Sequence, residues 1–175
     1  MAERAPRRRE PTSSVPSRFL RAFFAVVAFI GLIGFLIATV IQFATSGSDD
    51  WQRRMLEDGL LWLVGVQGWV YAGGHLLFAD QVANSIGWRP GSPFQFEVGL
   101  ANLSYGVLGV FASAHGREWW LATVVAFSVF YLGAAVGHLR HIAVERNFSP
   151  GNAGPVLFFD IAVPLFLIWL YFAAT

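Results

Sequence analysis

Five apolar runs, each about as long as the roughly 20 helical residues that cross a bilayer core, constrain this chain more than any motif in it. They extend roughly from Phe19 to Ala44, Glu57 to Phe78, Pro93 to Ala114, Trp119 to Ile142 and Pro155 to Ala173. A backbone in lipid must satisfy its own hydrogen bonds, so runs of this length can only be helices. The expected fold is therefore all-α: a polytopic membrane bundle of five transmembrane helices forming one domain over residues 18–175. Residues 1–17, rich in Arg, Pro and Ser, are expected to be a disordered basic arm. The first run is too long for a signal-peptide core of about 7 to 15 residues and is expected to be retained.

Composition supports the class and excludes several functions. The chain is 55% hydrophobic and 13% charged, with a mean hydropathy of +0.54, and it has no cysteine. Disulfides, thiolate metal sites and cysteine nucleophiles are thereby excluded. No phosphate-binding glycine loop, Gly-x-Ser-x-Gly elbow or zinc signature occurs, so nothing marks an enzyme. The twelve basic residues are all Arg, and they divide unequally across the five spans. Nine lie on the side of the N-terminus (Arg4, Arg7, Arg8, Arg9, Arg18, Arg21, Arg89, Arg140, Arg146) and three on the other (Arg53, Arg54, Arg117). Cytoplasmic loops are enriched in Arg, which puts the N-terminus in the cytoplasm and the C-terminus outside. The arm's cations are explained by this orientation and by anionic lipid, and nucleic acid is not an expected partner.

Polar residues inside such runs are costly and mark sites or partners. His75, Glu97, His138 and Asp160 each fall about one turn inside the cytoplasmic face, with Gln95, Asn102 and His141 nearby. The spacing from His75 to Glu97 is 22 residues, and so is that from His138 to Asp160. Under a shift of 63, Gly74-His75-Leu76 aligns with Gly137-His138-Leu139, and Phe96-Glu97-Val98 with Phe159-Asp160-Ile161. Helices two and three, and helices four and five, thus read as two copies of one hairpin, related as parallel repeats about the membrane normal. The competing explanation is chance recurrence of Gly-His-Leu in a Gly- and Leu-rich chain. Each copy would bring an imidazole to a carboxylate, the two reducing each other's burial penalty.

That layer admits three uses. The expected one is that the pairs only hold the bundle together, making the protein structural or accessory. They could instead ligate a metal ion or, through His75 and His138, a haem. A third use is a proton relay in a proton-coupled carrier. His141, beside Arg140 near a helix end, has no counterpart in the first copy. Along the third helix, Gln95, Gly99, Asn102, Gly106, Gly109 and Ser113 form one small and polar stripe, while Glu97, Ala101 and Ser104 form another, so contact on both faces is expected. Gly133-x-x-x-Gly137 in the fourth helix is read as tight packing within the chain, with association into a homo-oligomer or with another membrane protein as the alternative.

Three segments carry a family resemblance: Gly91-Ser92-Pro93-Phe94-Gln95-Phe96-Glu97-Val98-Gly99 with Ala101-Asn102-Leu103; Gly137-His138; and Asn147 to Gly154 followed by Asp160 and Pro164. Over roughly residues 57–173 the chain resembles a family of small multi-pass bacterial membrane proteins of unknown function. The resemblance implies the bacterial inner membrane and a helical fold, and it brings no activity, substrate or catalytic residue.

Overall fold

The computed structural model describes residues 29–46 and 49–175, and every regular element among them is helical. The basic arm and the start of the first run lie outside the described residues. In chain order the helices are α1 (Ile30–Ser46), α2 (Trp51–Leu77), α3 (Ala79–Ile86), α4 (Phe94–Ser113), α5 (Arg117–Glu145), α6 (Pro150–Ala153) and α7 (Pro155–Ala174). Among the described residues, four stretches are long and apolar enough to cross a membrane: α2, α4, α5 and the segment Pro150–Ala174. The apolar helix Ile30–Thr45 is shorter. Within α2 the stretch Gly59–Val66 is π-helical, closing i to i+5 hydrogen bonds that turn less per residue than an α-helix.

Glycine sets the spacing of α2 and α4. A Cβ on Gly68 would sit 2.8 Å from the Gly106 backbone nitrogen and 2.9 Å from the Asn102 carbonyl, so the two backbones touch. The stripe expected from the sequence is what makes this approach, with Gln95, Gly99, Asn102, Gly106 and Gly109 all buried. The second stripe is different: Glu97 and Ser104 are exposed, and α4 is not covered on both faces. Gln67 joins α1 to α2, its Oε1 accepting from the Gly31 backbone N–H at 2.9 Å.

Packing divides the bundle end from end. Near the start of α2 and the close of α7, Leu56, Leu60, Leu63, Phe127, Leu167 and Leu170 fill a dry core. At the opposite end lie the two turns, and these are tied together. Asn147 Nδ2 donates to the Ile86 carbonyl at 2.8 Å, and Gly87, at φ 80°, lies so close to Asn147 and Ser149 that a side chain there would collide with both. Helices α4 and α5 meet from Trp120, whose indole N–H donates to the Ala112 carbonyl, up to the bond from the Tyr131 hydroxyl to Asn102 Oδ1. Beyond that point, toward the turns, a cavity of about 840 Å³ separates them.

Candidate functional site

The cavity gathers the buried polar residues of the turn end. Tyr71 and His75 from α2, Gln95 and Asn102 from α4, Tyr131, His138 and His141 from α5, and Asp160 from α7 all line it, with Trp88, Arg89 and Ser92 of the first turn at its rim. Three of the four residues of the expected layer, His75, His138 and Asp160, are therefore on its walls. The fourth, Glu97, is not.

The rotation of α4 explains why. Gln95 and Glu97 are two residues apart, about 200° around an α-helix, so the face that turns Gln95 and the glycines toward α2 turns Glu97 outward. A face permitting backbone contact dominates over one ion pair, and Glu97 ends exposed in the first turn of α4, where a carboxylate complements the helix dipole. His75 takes Gln95 instead, its Nδ1 lying 2.6 Å from Gln95 Oε1. The expected pairing of His75 with Glu97 is thus replaced by a neutral imidazole–carboxamide bond. The aligned phenylalanines differ in the same way, Phe96 being 59% exposed and Phe159 5%.

The second histidine has a carboxylate. His138 Nε2 stands 3.6 Å from Asp160 Oδ2, and both side chains are buried. Its other nitrogen, Nδ1, is 2.7 Å from Asn152 Oδ1. A carboxamide oxygen only accepts, so Nδ1 carries a proton and Nε2 is left facing the carboxyl group. Asn152 is fixed in turn, its Nδ2 donating to the Asn147 carbonyl at 2.9 Å.

His141 is separate from this pair. The Trp88 indole N–H donates to His141 Nδ1 at 3.0 Å, which places the His141 proton on Nε2, 3.7 Å from Glu145 Oε1. Trp88 also stacks on His138, with ring centroids 6.4 Å apart, and so spans from the first turn to the second hairpin.

Two residues that line the cavity each have a buried side-chain atom with no hydrogen-bond partner, Gln95 Nε2 and the Tyr71 hydroxyl. Gln95 is only 2% exposed, and of its amide only Oε1 is paired, with His75. Among the described residues no three His, Asp or Glu side chains come together as a metal ligand set. Gly133 and Gly137 also depart from expectation, since a Cβ on either would meet nothing within 4 Å. They line the cavity and widen it, where tight packing was expected.

Tyr71, Trp88, Tyr131 and Asn152 were not singled out by sequence. Tyr71 carried a signal, being one helical turn before His75 and so on the same face. Trp88 lies in a turn and Asn152 in the single-turn helix α6, too short for helical periodicity to give its direction.

The chain belongs to the family of unknown function DUF6790, which it matches over residues 21–175, the described first helix included. No curated protein and no solved structure matches it.

Proposed function

We propose that this chain is a multi-pass protein of the bacterial inner membrane with five spans, its N-terminus and both polar turns cytoplasmic, and that its cavity binds a small molecule. The outer surface supports the membrane setting: Val129, Val136, Phe158, Leu165 and Phe172 are each more than half exposed, forming an apolar exterior that water would not tolerate at this extent. The excess of Arg near the turns and the arm supports the orientation.

A purely structural role accounts for His138, Asp160 and Asn152, which tie α5 to α6 and α7. It does not account for Gln95 and Tyr71. Buried polar groups are nearly always satisfied, and leaving one unsatisfied costs about 1–3 kcal/mol. Two residues lining one cavity, each keeping such a group, are the observation that carries the binding role. Native mass spectrometry of the full chain released from detergent is expected to show a fraction carrying one small molecule, reduced at least tenfold in Gln95→Leu. A chain that stays ligand-free even after incubation with a total membrane extract overturns the proposal.

One observation favours a second reading, a proton-coupled carrier: the ionisable pair of His138 and Asp160 lies on the same wall. Reconstituted vesicles with a pH gradient are then expected to accumulate the ligand, and Asp160→Asn to abolish accumulation. Uptake indifferent to the gradient removes this reading. The metal reading loses support with the departure of Glu97 from the layer, and among the described residues no three His, Asp or Glu side chains come together.

A further inference from the structure

We infer that the cavity takes an amphiphile with a compact uncharged head bearing carbonyl or ester oxygens, its head against Gln95 and Tyr71 and its tail leaving sideways between α4 and α5. The inference rests on the cavity being a ligand site.

The head follows from the donors. Gln95 Nε2 offers N–H groups with no partner and the Tyr71 hydroxyl is likewise unpaired, so the complementary atoms are acceptor oxygens. Charge is excluded by what surrounds them. The ionisable pair on the wall, His138 with Asp160, is already matched within itself. Arg89 also lines the cavity, but it is exposed and screened by water while Gln95 is buried. An anion buried beside Gln95 would therefore have only a screened counter-charge, and burying a poorly paired ion is far more costly than burying a hydrogen-bonded carbonyl.

The tail follows from the opening. Phe94 and Val98 of α4 and Val129, Phe130, Gly133 and Gly137 of α5 supply an apolar part of the lining. Val129 is 72% exposed, so the gap reaches the outer surface of the bundle. The empty space beside Gly133 and Gly137 leaves a smooth groove on α5 at the place where an alkyl chain would pass. The competing occupant of such a Gly-x-x-x-Gly face is a helix of a second copy of this chain.

Native mass spectrometry of the full chain in detergent, loaded with one probe at a time, tests this. The probes are decylubiquinone, dioleoylglycerol, oleate and a tail-less dimethoxybenzoquinone. At least one of the first two is expected to bind saturably at one molecule per chain, and which one does so separates a quinone from an ester lipid. Oleate and the tail-less quinone are expected to bind at least tenfold more weakly. Both Gln95→Leu, which removes the head's donors, and Gly137→Leu, which fills the groove on an open face, are expected to weaken binding at least tenfold while eluting as folded protein. The inference is overturned if neither neutral amphiphile binds, if oleate binds equally well, or if Gly137→Leu leaves affinity unchanged. It is also overturned if Gly137→Leu alters the oligomeric state, which would assign the groove to a second copy. A water-soluble molecule captured from the extract and lost in Gln95→Leu, with no amphiphile binding, sinks this inference and leaves the cavity's binding role standing.

Discussion

The hairpin of α2 with α4 closes on glycine, and the hairpin of α5 with α7 closes on large side chains. In the first, Gly68 and Gly106 bring backbones into contact. In the second, Tyr131 and Phe159 meet as rings, with centroids 6.2 Å apart, and the glycines of α5 face empty space. Both hairpins contain Gly-His-Leu. The polar chemistry differs accordingly, a neutral His75–Gln95 bond on one side and an ionisable His138–Asp160 pair on the other. A shared tripeptide therefore fixes neither the partner of its histidine nor the job of its glycine; the rotation of the facing helix decides both.

The sharpest break of this comparison is steric. Gly68→Leu must push α4 away from α2, and since the colliding atoms are backbone we expect a loss of about 3 kcal/mol or more in reversible unfolding in mixed micelles. Gly137→Ala in the same assay is expected to change stability by less than about 1 kcal/mol, because its methyl meets nothing. Equal effects at the two positions would erase the contrast.

Next in size is the buried pair. Removing one member of such a pair costs about 3 kcal/mol or more, so His138→Leu is expected to destabilise strongly and the double change His138→Leu with Asp160→Leu to recover most of the loss. Additive losses in that cycle would mean the pair does not interact. His75→Leu leaves only a neutral carboxamide behind and is expected to cost about 1–2 kcal/mol. The smallest effect is reserved for Glu97→Ala, expected within about 0.5 kcal/mol because the side chain is exposed. A large loss there would restore Glu97 to the site.

Much of the fold was legible in the sequence because helical periodicity reports on faces. The stripe through Gln95, Gly99, Asn102, Gly106 and Gly109 named the buried face of α4 correctly. The same periodicity could not say which of two stripes would be covered. That choice depends on how the backbone of α2 fits the stripe, which one helix alone does not encode. The 22-residue spacing found Asp160 for His138 and misled for Glu97, since equal distance along a hairpin says nothing about rotation. Gln95, treated only as a supporting residue, proved to be the partner of His75. Asn152, which fixes His138, sits in the single-turn helix α6, where side-chain direction depends on its bond to Asn147, itself tied to Ile86.

The π-helical stretch Gly59–Val66 sets the phase of everything after it on α2. Because it turns less per residue, the half of α2 that carries Tyr71 and His75 is offset from the half packed in the dry core. Both halves nevertheless face inward. Deleting one residue inside the stretch would let it relax to a regular α-helix, the roughly 100° lost with that residue being offset by the tighter turn of those that remain. The core face and the face of Tyr71 and His75 would then both stay inward, whereas the same deletion in the regular helix after it would swing His75 away. The widened turns thus hold one residue of slack between the apolar core and the cavity.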